Sequence, residues 1–246
     1  MNNTNNNSNS NISFRSKVIN LLEQEGSFLS VDKFNSEYLT RYKFNSKTIF
    51  DVGVCKGTPE LYKAFAKCKI VLIDPLEETK EYYEMYSKKF DMDFIHCAVG
   101  SNKGTTEIKT PKDMLALTSV LDRTEFSDID RESIVRQVEI DTLNEIIKRG
   151  KYTSPFGIKI DTEGYELEVI KGMNAVMQDV EFIIAEVSIK KRFKESYFFS
   201  EIISYLAKLD FELIDILNNT SKYPRFFDCL FINKNSSRFS SEMFQY

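Results

Sequence analysis

The sequence has few of the residues that zinc centres and disulfide scaffolds require. It holds no tryptophan, one histidine and four widely separated cysteines, with no CxxC pair among them. Zinc sites need closely spaced cysteine or histidine ligands, and disulfide scaffolds need a denser cysteine framework. We therefore predict no metal site from residue spacing, and we expect a reduced protein of the cytoplasm.

Long hydrophobic runs and an excess of positive charge are also missing. No stretch approaches the roughly 18 consecutive apolar residues of a membrane-spanning helix. Residues 1–13 are rich in Asn and Ser and lack the apolar centre of a signal peptide. The 33 Lys and Arg residues are scattered and are outnumbered by 37 Asp and Glu residues. These absences predict no membrane span and no nucleic-acid partner.

What the chain does contain is an alternation of short β-rich runs and helical patterns. Its apolar fraction of 42% over 246 residues is enough to build the core of one large domain. Strands are predicted at 48–53, 69–73, 93–99, 105–109, 137–140, 156–160, 180–187, 211–217 and 226–233. Helices are predicted at 57–67, 77–89, 142–149, 164–178 and 197–208, and the rest of 100–137 is expected to be irregular. The alternation predicts an α/β fold, a doubly wound and mostly parallel sheet with helices on both faces.

The ends of the chain differ from its middle. Residues 1–11 are polar and repetitive and are expected to be disordered. Residues 12–46 are interpreted as a helical N-terminal extension, with a helix from Phe14 to about Glu25 and further helical spacing within 28–45. We expect the α/β domain to span 47–234 and to be succeeded by a polar tail, 235–246.

The first motif with a chemical meaning begins at the end of the strand at 48–53 and continues into the turn after it. Asp51, Gly53 and Gly57 form an acidic residue and then two glycines four positions apart. Glycines at a strand-to-helix turn permit close approach of a cofactor. Cys55 stands where the second glycine of a dinucleotide-binding G-x-G-x-x-G belongs, which argues against NAD. An acid here suits the ammonium of S-adenosylmethionine (SAM), although a tight turn in any α/β protein is the alternative.

The next two strands end in residues that fit the rest of a nucleoside. Asp74 and Pro75 come after the strand at 69–73, where a carboxylate can accept hydrogen bonds from both ribose hydroxyls. The alternative for Asp74 is a simple helix cap. Cys97 and Ala98 come near the end of the third strand, and small Ala98 leaves room for an adenine ring. The only histidine, His96, is more often structural than catalytic in such a position.

The most specific motif lies at the end of the strand at 156–160. Asp161 and Glu163 stand at the edge of the sheet where ligands of open α/β folds bind. Glu166 and Glu168 are interpreted as surface acids that complement a helix dipole. Glu186 ends the next apolar strand at the same edge. It can line an acceptor pocket or pair with Lys190 or Lys191.

Together these segments resemble the FkbM family of SAM-dependent methyltransferases over residues 48–233. The resemblance rests on Asp51, Gly53, Gly57, Asp74, Pro75, the run Lys159-Ile-Asp161-Thr-Glu163-Gly164-Tyr-Glu166-Leu with Lys171-Gly172, and Glu186. Asn144 stands where the family usually has Asp, and Cys97 where many methyltransferases have an acid. The resemblance implies a seven-stranded sheet with one antiparallel strand and transfer of methyl to a hydroxyl of a sugar, glycan or natural product.

The resemblance also suggests a role for each acid, as a hypothesis. Asp161, then Glu163, is expected to accept the hydroxyl proton, with Glu186 beside them. Asp51 is expected to hold the methionine ammonium and Asp74 the ribose. Asp161, Glu163 and Glu186 also have the chemistry of a divalent-cation site.

Three alternative functions fit the sequence less well. An NAD-dependent oxidoreductase or epimerase on the same sheet is disfavoured by the glycine spacing. A catalytically inactive, methyltransferase-like binding module is disfavoured by the intact acids at three strand ends. A nucleic-acid methyltransferase is disfavoured because the chain has neither an Asn-Pro-Pro-Tyr-type motif nor a basic stripe.

Overall fold

A computed structural model describes residues 14–24, 32–112, 114–124, 132–218 and 225–240. The chain divides into two compact units, Met1–Val31 and Asp32–Tyr246. Of the first unit, the structure describes the single helix α1 (Phe14–Gln24), in agreement with the helix predicted there. The predictions for residues 1–11, for 28–31 and for the last residues of the tail, 241–246, lie outside the described residues.

The second unit alternates strands and helices as the sequence predicts. Its helices are α2 (Ser36–Thr40), α3 (Pro59–Ala64), α4 (Thr79–Tyr86), α5 (Leu143–Gly150), α6 (Glu166–Lys171) and α7 (Phe199–Lys208), with 3-10 turns at Leu115–Leu117 and Asn174–Asp179. Its strands are β1 (Thr48–Val52), β2 (Lys69–Ile73), β3 (Met92–Ile95), β4 (Ala98–Val99), β5 (Gly104–Pro111), β6 (Ser133–Asp141), β7 (Phe156–Ile160), β8 (Val180–Ser188), β9 (Phe211–Ile216) and β10 (Phe226–Asn233). No helix in the described part of the chain is long and apolar enough to cross a membrane.

Seven of the strands form one sheet in the order β3-β2-β1-β7-β8-β10-β9. Neighbours from β3 through β8 are parallel, whereas β10 is antiparallel to both β8 and β9. The predicted fold, a mostly parallel seven-stranded sheet with one reversed strand, is confirmed. The strand order changes direction between β1 and β7, and ligands of open α/β sheets bind beside such a switch point, at the carboxyl ends of the strands.

Buried apolar side chains cover both faces of this sheet. One face packs against helices α5, α6 and α7 through residues such as Ile146, Val169 and Ile202. The other packs against α2 and α3 through residues such as Leu39 and Leu61. All five residues of β1 and all five of β7 are buried, so these central strands fix the position of the turns at their carboxyl ends.

A second sheet, in the order β4-β6-β5, was not predicted. The predicted strand 93–99 forms two strands, β3 and β4. The chain leaves the large sheet at Cys97, and Ala98 then pairs with Ile140 of β6 in the second sheet. The strands predicted at 105–109 and 137–140 are confirmed as parts of β5 and β6, which pair antiparallel and extend into the segment expected to be irregular. The largest extension, residues 133–136, is mostly exposed, so it carries little of the apolar alternation that identifies a strand.

Three predicted helices are clearly shorter in the structure, among them 77–89, which is only Thr79–Tyr86. The predicted helix 164–178 ends at Lys171, and a 3-10 turn comes after it. At Gly172 a Cβ atom would come within 2.0 Å of the Gly100 carbonyl oxygen, so the backbones meet closely there. The predicted helix 57–67 is only Pro59–Ala64. Of the aromatic-rich segment, residues 32–45 are helical only at Ser36–Thr40.

Candidate active site

A cavity of about 520 Å³ lies at the carboxyl ends of the central strands. Its β2 side consists of the turn after β1, the residues after β2 and the start of β4. Its β8 side consists of the residues after β7, the ends of β8 and β10, and residues 115–123. The cavity thus brings together every site residue expected from the sequence except Asp51: Gly53, Gly57, Asp74, Pro75, Cys97, Ala98, Asp161, Glu163 and Glu186.

The turn after β1 needs its glycines for backbone reasons. Gly53 has φ +79°, and a Cβ there would lie 1.8 Å from the Asp161 carbonyl oxygen. Gly57 has φ +91°, and a Cβ would meet the Tyr86 ring at 2.5 Å. Cys55, between them, also has a positive φ of 48°. The glycine spacing is therefore dictated by the close contact between this turn and its neighbours, the end of β7 above all.

Asp74 ties the same turn to the end of β2. Its Oδ2 accepts hydrogen bonds from the backbone N–H groups of Val54 (2.8 Å) and Cys55 (2.9 Å), and its Oδ1 accepts one from Leu76 (2.8 Å). The residue is 3% exposed, and this burial raises the pKa of its carboxyl group. A carboxylate offers about four acceptor positions, so these three backbone donors do not exhaust the capacity of Asp74.

The remaining residues of the β2 side offer shape rather than charge. Cys97 and Ala98 are buried at the cavity wall, and burial raises the pKa of the Cys97 thiol to about 12, so the thiol is neutral. Pro75 lines the cavity, and its carbonyl oxygen lies 2.9 Å from Nε2 of His96. His96 itself is outside the cavity lining and exposed, which gives it no place in the site.

Asp51 is placed differently from its expected position. It is fully buried behind the cavity wall, where its Oδ2 accepts a 2.6 Å hydrogen bond from the Tyr62 hydroxyl. Its Oδ1 has no hydrogen-bond partner among the described residues and lies 3.8 Å from Lys159 Nζ. Asp51 and Lys159 are neighbours across β1 and β7. Asp51 is therefore placed beside Lys159 within the sheet and does not line the cavity.

Lys159 is a site residue that the sequence analysis did not assign. Its side chain is 7% exposed, and its ammonium lies 2.9 Å from Asp161 Oδ2 at the cavity wall. Burial alone would lower its pKa, but the carboxylates of Asp161 and Asp51 raise it above its usual value, so the side chain stays charged. The signal was present, because residues two apart on a strand point to the same face and Lys159 is two residues before Asp161.

Glu163 lies at a strained position. Its φ is +52°, in the left-handed region, and Gly164 is next at φ +98° against the Phe193 ring. The Glu163 carboxylate accepts a 2.9 Å hydrogen bond from Arg192 Nη2. Burial raises its pKa to about 7 although Arg192 opposes the shift. Strain of this kind persists where surrounding contacts hold it, and it is common at functional sites.

Glu166 is not the surface acid that the sequence suggested. It is 1% exposed, and its Oε1 accepts hydrogen bonds from the backbone N–H groups of Thr162 (2.9 Å) and Gly164 (3.0 Å). Its Oε2 accepts one from the Tyr197 hydroxyl at 2.5 Å. The prediction was wrong because the side chain folds back over its own helix start, where it fixes the strained turn that carries Glu163.

Glu186 pairs with Arg192 rather than with Lys190 or Lys191, the partners considered from the sequence. Arg192 Nη2 donates to it at 3.2 Å while also donating to Glu163. Burial, together with the charges of Asp161 and Glu163, raises the pKa of Glu186. The sequence did not predict this pairing, because four cationic residues lie within 190–194 and nothing distinguishes the one that turns inward.

The three acids Asp161, Glu163 and Glu186 have carboxylate oxygens within 4.8 Å of one another. Each of them already has a cationic partner: Lys159 for Asp161, and Arg192 for the other two. A divalent ion in their midst would meet the Arg192 guanidinium. With Arg192 in this position, the donor set does not fit a metal ion.

Asp228 on β10 is a fourth acid that the sequence analysis did not assign to the site. It pairs with Glu186 across β10 and β8, lines the cavity and accepts a 2.5 Å hydrogen bond from Asn218. Burial and the nearby charge of Asp161 raise its pKa to about 7. An acid inside the apolar run of β10 was a usable signal, since buried carboxylates are rare without a partner or a role.

Residues 114–124 form the outer wall of the β8 side. Ser119 Oγ donates a 2.8 Å hydrogen bond to the Glu163 carbonyl oxygen, and the backbone of Ser119 pairs with Lys109 of β5. Arg123 pairs with Phe193 through an isolated β-bridge. This unpredicted wall is therefore attached both to the second sheet and to the strained turn.

Comparison with known proteins agrees with the sequence resemblance. The profile of the Methyltransferase FkbM domain matches residues 51–213, more than half of the chain. The hexuronic acid methyltransferase AglP of Haloferax volcanii is 43% identical over 44 residues, a match that spans 18% of this chain and 18% of that protein.

Solved structures with a similar arrangement include two methyltransferases of low sequence identity. Magnesium protoporphyrin IX methyltransferase from Synechocystis PCC 6803, solved with bound SAM, has a TM-score of 0.46 at 11% identity and covers 90% of this chain and 85% of its own. A 1,6-didemethyltoxoflavin-N1-methyltransferase from Burkholderia thailandensis has a TM-score of 0.43 at 9% identity, covering 89% and 86%. It is the family match over residues 51–213, rather than these structures, that decides the assignment: the chain belongs to the FkbM family of methyltransferases.

Proposed function

We propose that the protein transfers a methyl group from SAM to an oxygen of a sugar-type acceptor. The observation that carries this proposal is the cavity that joins Asp74 on its β2 side to the acids Asp161, Glu163 and Glu186 on its β8 side. A carboxylate suited to bind a nucleoside and a set of acids suited to accept a proton thus lie at one switch point of the sheet.

The β2 side would hold the cofactor. The Asp74 carboxylate suits a ribose hydroxyl, and the wall at Cys97 and Ala98 suits an adenine ring. Gly53 and Gly57 keep the turn free of side-chain bulk at that wall. The contact that the sequence suggested between Asp51 and the methionine ammonium is not part of the proposal, because Asp51 is fully buried.

The β8 side would hold the acceptor. When bound, SAM supplies a methyl group that its sulfonium already activates, so the chain must mainly orient the acceptor oxygen and accept its proton. Asp161 has one carboxylate oxygen held by Lys159, which leaves the other to orient the hydroxyl. Glu163, with a pKa of about 7, is suited to accept the proton near neutral pH. Glu186 would hold Arg192 in place beside it.

The nature of the acceptor rests on the partial relative. AglP is described as acting on a hexuronic acid, and a sugar acid offers hydroxyl oxygens as well as a carboxylate oxygen to a methyl donor. We propose a hydroxyl as the accepting atom, in line with the proton-accepting groups of the β8 side. Alkaline treatment of the product separates the two cases, because it releases methanol from a methyl ester and leaves a methyl ether intact.

Replacement of Asp161 by Asn tests the assignment of the two sides. Because Asp161 orients the acceptor hydroxyl, we expect Asp161→Asn to lower kcat by roughly 100-fold, while affinity for SAM stays within a few-fold of the parent. Turnover is measured as S-adenosylhomocysteine formed with a panel of glycosides, and affinity by calorimetry. Asp179→Asn, at an exposed position outside the cavity, is the matched control. Normal turnover of Asp161→Asn would refute its role, and thermal stabilisation by NAD but not by SAM would refute the proposed function.

A further inference from the structure

Arg123 is a cation of the β8 side whose hydrogen-bonding capacity is largely unused. Its side chain is 15% exposed and lines the cavity. Its Nη2 donates a 2.6 Å hydrogen bond to the Leu117 carbonyl oxygen, and its guanidinium lies 4.8 Å from the centre of the Phe193 ring. Among the described residues, Nε and Nη1 of Arg123 have no hydrogen-bond partner.

The neighbouring Arg192 provides the contrast. It is also buried, but it donates to Ser188, Glu163 and Glu186. Arg123 is 3.7 Å from the Glu163 carboxylate, beyond hydrogen-bond distance, and Glu163 is already bonded to Arg192. Arg123 is thus the guanidinium of this pair that lacks a hydrogen-bonded carboxylate. A poorly paired charge in a half-buried position is unfavourable, and burial indeed lowers the Arg123 pKa.

The cavity around Arg123 combines charged and apolar side chains: the charges of Glu163, Arg192 and Arg225 act on its guanidinium. Leu115, Ala116 and Val120 line the same wall of the cavity, and Ile108 of β5 lines it from the second sheet. An anion that reaches Arg123 therefore leaves water for a partly apolar wall, where a charge-assisted hydrogen bond is stronger than in solvent.

We propose that Arg123 binds a carboxylate of the methyl acceptor, so that the enzyme acts on an acidic acceptor in preference to its neutral counterpart. A guanidinium matches a carboxylate in shape and in charge. One guanidinium balances the single charge of a carboxylate, whereas a phosphate monoester carries about −1.5 to −2. This inference rests on the proposed function and names the acceptor class for the same site.

A matched pair of acceptors tests it: 4-nitrophenyl β-glucuronide and 4-nitrophenyl β-glucoside, which differ only in a carboxylate against a CH2OH group. Binding of each is measured by calorimetry with S-adenosylhomocysteine present. We expect the parent protein to bind the glucuronide roughly 10- to 100-fold more tightly, as for a hydrogen-bonded charge pair. Glucose 6-phosphate, measured in parallel, is expected to bind more weakly than the glucuronide.

Three variants complete the test. Arg123→Gln should remove the preference while leaving glucoside binding unchanged, and Arg123→Lys should keep part of it because the charge stays and the planar fork is lost. Arg41→Gln removes the same charge from an exposed surface pair with Glu37 and should behave as the parent. Comparison of the two Arg123 variants controls for loss of the hydrogen bond to the Leu117 carbonyl oxygen, because Arg123→Lys keeps the positive charge and Arg123→Gln does not.

The inference is overturned if the parent protein fails to bind the glucuronide more tightly than the glucoside, or if Arg123→Gln keeps the preference. Tighter binding of glucose 6-phosphate would overturn the choice of a carboxylate. These results are separate from the proposed function, which fails only if SAM does not bind or if no acceptor is methylated.

Discussion

The two sides of the cavity satisfy their polar groups in different ways. On the β2 side, the Asp74 carboxylate is held by three backbone N–H groups within about twenty residues of it in the chain. On the β8 side, carboxylates are held by the side chains of Lys159 and Arg192. The first arrangement is built from groups that nearly every residue carries, and the second from particular side chains.

This difference has a consequence for binding. Backbone donors are fixed by the turn itself and are hardly altered by substitution, so the β2 side is suited to a ligand that never changes. Ion pairs between side chains can be exchanged for pairs with a ligand, and they change with a single substitution. The β8 side is therefore the place where acceptor specificity can be adjusted, and substitutions on the two sides should have separable effects.

The largest effect is expected from Glu166, which supports the β8 side. Glu166→Ala removes the acceptor of the Thr162 and Gly164 N–H groups and the short hydrogen bond of the Tyr197 hydroxyl, which keeps only a 3.4 Å contact with the Glu186 carbonyl oxygen. At about 1–3 kcal/mol for each unsatisfied group, the free energy of unfolding should fall by roughly 2 kcal/mol or more. Urea denaturation measures the loss.

Glu168→Ala is the matched control for this change. Glu168 lies two residues further along the same helix and forms a half-exposed pair with Lys171. Its removal should cost about 1 kcal/mol or less. Equal losses in the two variants would mean that Glu166 contributes nothing beyond an ordinary surface acid.

The second largest effect is expected on affinity for SAM when Asp74, on the β2 side, is replaced. In Asp74→Asn one carboxylate oxygen becomes an NH2 group, and in either orientation that group faces a backbone N–H donor of the turn. We expect affinity for SAM to fall roughly 10- to 100-fold, while glucuronide binding without cofactor changes by less than a few-fold.

Asp91→Asn, at an exposed position after α4, serves as the control for Asp74→Asn. Calorimetry measures affinity for SAM and, in a separate titration without cofactor, affinity for the glucuronide. An unchanged SAM dissociation constant for Asp74→Asn would remove the ribose role, and an equal loss for both ligands would show that the two sides are not independent.

The same contrast between backbone and side chain explains how much the sequence could predict. The bounds of β2, β7 and β10 agree with the predicted strands, because buried strands are nearly continuous apolar runs. Asp74 and Asp161 were expected at the sheet edge because a strand end fixes where its next residue lies. Features that depend on the local backbone were therefore accessible from the sequence.

Features that depend on where a long side chain reaches could not be predicted from the sequence. Arg192 crosses from the loop after β8 to Glu163, 29 residues earlier, and its neighbours are also cationic. Glu166 resembles a surface acid at a helix start until its fold-back onto Thr162 is known. Asp51 looked like a ligand because it precedes the glycine turn, but it lies inside β1, where it is fully buried, bonded to Tyr62 and absent from the cavity lining.

The smallest expected effect, and the one that best separates the roles of two acids, is the dependence of kcat/KM on pH. Glu163 and Asp228 both have pKa values raised to about 7 by burial, and both line the β8 side. If Glu163 accepts the proton, kcat/KM should rise roughly tenfold between about pH 6 and pH 8, since the carboxylate is the active form. Glu163→Gln should lower the rate and flatten the profile, whereas Asp228→Asn should leave the rise in place.

The free energy of unfolding should fall as pH rises, whereas kcat/KM rises. The ordinary pKa of a glutamate is 4.5, and that of folded Glu163 is about 7. Between these values the folded protein holds a proton that the unfolded chain has released, so stability falls as pH rises through this window. Thermal unfolding across the window measures the slope, which both Glu163→Gln and Asp228→Asn should reduce. If both variants reduce the pH dependence of stability but only Glu163→Gln flattens the rate profile, Glu163 is the proton acceptor. If Asp228→Asn flattens the rate profile instead, Asp228 has that role.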